Sequence, residues 1–133
     1  MRLVVISALM VMSGAMQTRP AEPVYDASFV LAGGTYTGTT TFTVSRTGEV
    51  TGTMKLTDPQ IVDATLAGTV KSGSWTFEYP YTIPEQGCAG TVKGTGTVAD
   101  DRSTVTGEVT IGGACVEQLE SATFSFTRRP QPR

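Results

Sequence analysis

The chain has 133 residues, 39% of them apolar and 17% charged, with 15 glycines, two cysteines and no histidine. That length holds one domain. A formal net charge of −2 gives no field to draw nucleic acid or an anionic membrane, and the missing imidazole excludes Ser-His-Asp and Cys-His catalysis and His-ligated zinc.

The N-terminus predicts an export signal over residues 1–15. Arg2 supplies a positive start, residues 3–12 form an apolar run, and Ser13-Gly14-Ala15 offers small residues for cleavage. The run falls well short of the roughly 20 residues a bilayer-spanning helix needs. The alternatives are an uncleaved anchor and a mis-assigned start. Residues 16–26, with Pro20 and Pro23, predict a flexible tail. A β domain is expected over 27–129 and a short tail over 130–133, with Arg128, Arg129 and Arg133 as solubilising charge.

Eight strands are predicted, at 28–32, 35–44, 49–57, 62–70, 74–82, 88–98, 104–111 and 121–128. An apolar residue two positions before a glycine recurs at Tyr36/Gly38, Val50/Gly52, Leu66/Gly68, Val92/Gly94 and Val105/Gly107, continued by period-two alternation. The intervening segments are short and rich in turn residues, as in Thr47-Gly48, Ser72-Gly73 and Asp100-Asp101. Short loops between successive strands mean hairpins, hence an antiparallel meander. Setting Val44 against Val50, Val70 against Trp75, Tyr81 against Cys88 and Val109 against Ala122 places large residues, often aromatic, opposite glycines on one face. The opposite face is rich in threonine. With one apolar face and no helix to cover it, the expected fold is an all-β up-and-down meander of about eight strands closing into a small barrel. An open coiled sheet or a small sandwich is the alternative.

Cys88 and Cys115 fall in the register that also sets Val98 against Val105 and Val92 against Ile111. That predicts a disulfide between neighbouring strands, as suits an exported chain. No catalytic set, metal site or cofactor is expected. Asp100-Asp101 occupies a turn, and Glu78, Glu117 and Glu120 read as solvated surface.

The candidate ligand-binding residues are Trp75, Phe77, Tyr79 and Tyr81, whose alternation sets all four on one face. Aromatic walls with a few polar tips line small-molecule pockets. Such a pocket is expected to open at the disulfide end, bordered by residues 83–87 and 112–118. The other reading is that the four rings simply fill a narrow barrel.

From residue 35 to Arg128 the pattern resembles the small up-and-down barrels of the streptavidin and lipocalin kind. The closing run Ala122-Thr123-Phe124-Ser125-Phe126-Thr127-Arg128 resembles small exported bacterial proteins that end in a Cys, an aromatic strand and an Arg. The resemblance implies an exported barrel, periplasmic or extracellular. It carries no ligand over, because neither the biotin-binding residues of the first family nor the Gly-x-Trp of the second is found. Two functions fit these readings. One is binding of a small apolar or aromatic ligand. The other is a non-enzymatic interaction module with a filled barrel, an inhibitor or envelope-assembly component with a protein partner. No nucleic acid and no membrane span are expected.

Overall fold

The structure is a computed structural model that describes residues 22–130. The expected export signal over 1–15, most of the tail and Arg133 lie outside the described residues. Nine strands follow in chain order: β1 (Tyr25–Leu31), β2 (Gly34–Val44), β3 (Val50–Asp58), β4 (Val62–Leu66), β5 (Thr69–Lys71), β6 (Ser74–Ile83), β7 (Cys88–Val98), β8 (Thr104–Gly113) and β9 (Glu120–Arg128). Every pairing is antiparallel, and no helix occurs among the described residues.

Eight strands close into a barrel. Neighbours in sequence pair as hairpins, β9 returns to β1 through seven residue pairs, and β4 meets β6 to complete the ring. Alternation explains the closure. Even-numbered residues of β9 and odd-numbered residues of β1 point inward, so Phe124 faces Phe29 and Phe126 faces Ala27. A ring of strands leaves no long bare edge for another chain to pair with.

Three of the expected registers hold as set: Val44 faces Val50, Val70 faces Trp75 and Val109 faces Ala122. The fourth is displaced by two residues, with Ile83 rather than Tyr81 opposite Cys88, which sets Tyr81 over Gly90. The turn explains this. The amides of Gln86 and Gly87 both donate to the Ile83 carbonyl, at 3.0 and 2.9 Å, so the reversal begins only after Ile83. A shift of two keeps every side chain on its expected face.

The expected strand 62–70 is broken into β4 and β5 at Ala67-Gly68. Gly68 takes a φ of 122°, and a Cβ there would lie 2.7 Å from the Trp75 indole nitrogen and 2.8 Å from the Phe77 Cβ. The Trp75 Nε1 donates to the Ala67 carbonyl at 3.1 Å, so the indole occupies the kink. Beside it the ladder between β4 and β6 holds only two residue pairs, Asp63 with Thr82 and Ala64 with Tyr81. Pro80 follows at the next position and has no N–H to give.

The first strand begins at Tyr25, so Tyr25 and Asp26 belong to the barrel and not to the expected tail. Tyr25 is buried, and its hydroxyl donates to the Arg102 carbonyl at 2.7 Å. Arg129 pairs with Asp26 at 2.8 Å and joins the end of the last strand to the start of the first.

The Cys88–Cys115 disulfide is formed, with the Cα atoms 5.3 Å apart across 27 positions of chain. Closing such a loop stabilises a fold by roughly 3–4 kcal/mol in the chain-entropy account.

Candidate functional site

The barrel interior differs from one end to the other. At the end where β1, β9 and β7 carry Tyr25, Phe126 and Val98, aromatic rings fill it. Tyr25 stacks on Phe42 at 4.7 Å between centroids, Trp75 lies 4.1 Å from Phe77, and Phe124 lies 5.1 Å from Phe126. Such pairs contribute about 0.5–1.5 kcal/mol each beyond their buried area. Phe126 is fully buried, and Phe124 rests against Gly96 and Gly107, where any Cβ would come within 2.9 Å of its ring.

Towards the disulfide end the inward positions turn aliphatic, and the packing leaves a chamber of about 350 Å³. Phe29 belongs to its inner part, and Leu56, Val62, Ile83, Val92 and Ile111 supply walls from five strands and their ends. Volumes of about 300–1,000 Å³ are usual for small-molecule sites. The loop after β8 brings Cys115 and Val116 to the chamber, and the disulfide ties that loop to the start of β7.

Polar groups lie towards the mouth. Gln86 Nε2 donates to Gln60 Oε1 at 3.0 Å, and Gln60 Nε2 donates to the Tyr36 hydroxyl at 3.2 Å. That chain of bonds links the β6–β7 and β3–β4 turns to β2. Tyr81 donates from its hydroxyl to the Gly112 carbonyl at 3.3 Å. Burial raises the Tyr81 pKa, with smaller contributions from Glu120 and Tyr36. Glu120, the first residue of β9, is half-buried and is the sole charged side chain lining the chamber.

Of the four aromatic residues singled out from the sequence, the chamber wall includes Tyr81 alone. Trp75, Phe77 and Tyr79 share its face but lie further down β6, buried among Phe124, Phe126 and one another. Burial alone raises the Tyr79 pKa, so its phenol stays neutral. The sequence pattern does not single out Tyr36, Gln60 or Gln86 for the site, and Glu120, expected as solvated surface, is half-buried and lines the chamber instead. Glu120 carried a signal, because it alternates with Ala122, Phe124 and Phe126. Gln60 and Gln86 sit in turns, where no periodicity marks the side a residue faces.

A wider trough of about 500 Å³ lies on the outer wall, across β2, β3, β4 and β6. Thr39, Thr41, Thr53, Thr65 and Thr82 contribute to it, and it opens to solvent over the short β4–β6 ladder. Asp101 accepts from the Ser103 amide at 2.9 Å within the β7–β8 turn, and the Ser103 hydroxyl and amide lower its pKa. Among the described residues no three His, Cys, Asp or Glu side chains gather to hold a metal ion, and no helix is long and apolar enough to cross a membrane. No protein-family model, curated protein or solved structure matches the chain.

Proposed function

We propose that this protein is an exported, non-enzymatic barrel that holds a small, largely apolar molecule in its open end. The observation that carries the reading is the uneven filling of the interior: a mainly apolar chamber of about 350 Å³ beside a close-packed aromatic half. Burying apolar ligand surface there yields about 25 cal/mol per Å² before the cost of association. The disulfide agrees with an oxidising compartment. Of the four aromatic residues of β6, Tyr81 alone remains a contact of this reading, beside Phe29 and Tyr36, while Trp75, Phe77 and Tyr79 support the wall from below.

The test is native mass spectrometry of protein purified after export from its own host, set against a denaturing spectrum. A defined extra mass in the native spectrum alone, lost in Val92→Trp protein that fills the chamber, is the expected result. A clean mass, together with no uptake of apolar probes by the native protein, refutes the reading.

One observation favours a protein partner instead. Val30, Ile61 and Leu119, the large apolar side chains left exposed among the described residues, all belong to the open end, with Leu119 at 73% exposure. On that reading a partner covers the mouth, and Ile61→Ser with Leu119→Ser abolishes its binding while Val92→Trp does not.

A further inference from the structure

The charge of the molecule is sorted by end. The turns of the open end, with the strand residues that flank them, carry Asp58, Glu85, Glu117 and Glu120, and no Lys or Arg. The turns and flanks of the closed end carry Arg46, Lys71, Arg102 and Arg128 alongside Glu49, Asp100 and Asp101. A concave site lined by one sign of charge raises the local concentration of oppositely charged molecules.

Glu120 brings that polarity into the chamber. It shares the inward face of β9 with Ala122, Phe124 and Phe126, and it lines the chamber beside Tyr36 and Tyr81. Among the described residues no basic side chain forms an ion pair with it. The sole ion pair among the described residues joins Arg129 to Asp26 at the opposite end of the barrel. A ligand that seats in the mouth displaces water from this carboxylate, and a neutral head returns little in exchange. A carboxylate or phosphate head adds repulsion. An ammonium or guanidinium head replaces the lost water with a charge-assisted hydrogen bond. The tyrosine hydroxyl oxygens beside it are further acceptors for such a donor.

We infer that the chamber takes an amphipathic cation, its aliphatic or aromatic body lying between Leu56, Val62, Ile83 and Val92 and its cationic head against Glu120 at the mouth. This assignment rests on the binding reading above and narrows it to a ligand class. It excludes fatty-acid-like anions, although the aliphatic walls alone would accept them.

The test titrates the mature protein with three probes of equal chain length, octylammonium, octanol and octanoate, by calorimetry at low and high salt. The expected order is octylammonium first by about tenfold over octanol, the scale of one charge-assisted bond, with octanoate weakest. Salt narrows the preference. Glu120→Gln brings octylammonium to the level of octanol, and the urea midpoint of the variant, followed by Trp75 fluorescence, reports that it is folded. If octanol or octanoate binds as tightly as octylammonium, or if Glu120→Gln leaves the order intact, the cation assignment is wrong and the chamber reading survives. If none of the three binds, both are wrong.

Discussion

Two leucines allow the division of the interior to be tested by one substitution made twice. Leu66 on β4 and Leu56 on β3 are 2% and 5% exposed, so the area lost from burial on truncation to alanine is nearly the same. Their surroundings differ. Leu66 lies in the filled half, opposite Gly52 and next to the Trp75 kink, and lines neither the chamber nor the outer trough. Leu56 lines the chamber. Leu→Ala in a packed core costs about 2.7–5 kcal/mol, rising by about 24 cal/mol for each Å³ of void left behind. At Leu66 the rings around the site are held by their own contacts and cannot collapse, so Leu66→Ala is expected to cost about 4 kcal/mol. At Leu56 the removed atoms merely enlarge a space already open to water, and the cost falls to the transfer part, about 2–2.5 kcal/mol. The difference, roughly 1.5–2 kcal/mol, is read from urea midpoints at constant m, followed by Trp75 fluorescence. Equal losses within about 0.5 kcal/mol refute the division, because the barrel would then be evenly filled or evenly hollow.

Reduction of the Cys88–Cys115 bridge, or its replacement by Cys88→Ser with Cys115→Ser, is expected to lower stability by roughly 3–4 kcal/mol in urea titrations, and to expose the amides of the loop between β8 and β9 to hydrogen exchange. Stability is expected to be flat from about pH 8 to about pH 10, the ordinary phenol pKa, and to fall above it. The sign follows from Tyr79 and Tyr81, whose pKa values burial raises, so the unfolded chain loses these protons first. Urea midpoints between pH 8 and 11 check this, and Tyr79→Phe flattens the slope. Gly107→Ala is expected to destabilise by about 2 kcal/mol or more, because its Cβ would lie 2.6 Å from the Gly96 Cα and 2.9 Å from the Phe124 ring; the thermal midpoint reports it.

Strand, face and pairing were legible because each rests on a local rule. Alternation set the inward residues, and short turns set which strands meet. The same arithmetic brought Cys88 to Cys115. What alternation does not encode is height along the barrel. Trp75, Phe77, Tyr79 and Tyr81 are equivalent in pattern, yet only Tyr81 reaches the chamber. The level at which Phe124, Phe126, Phe42 and Tyr25 arrive from the other strands depends on how the sheet is staggered on closure. The break at Ala67-Gly68 was hidden for a similar reason. It answers to an indole on another strand, and its local sequence alternates without interruption. Glu120 was legible but read as solvated surface, because its charge and its loop-side position outweighed its parity with Ala122.

The closing ladder joins strands from opposite ends of the domain, and the Arg129–Asp26 pair that tops it links residues 103 positions apart. Contacts so distant in the chain form late, after the hairpins have lowered the entropy of bringing the ends together. A chain trimmed within either β1 or β9 would therefore keep its hairpins and lose its ring, leaving two unpaired strand edges ready to join another copy. Clipping within either terminal strand is thus expected to turn a closed ring into an open sheet with two edges free to pair.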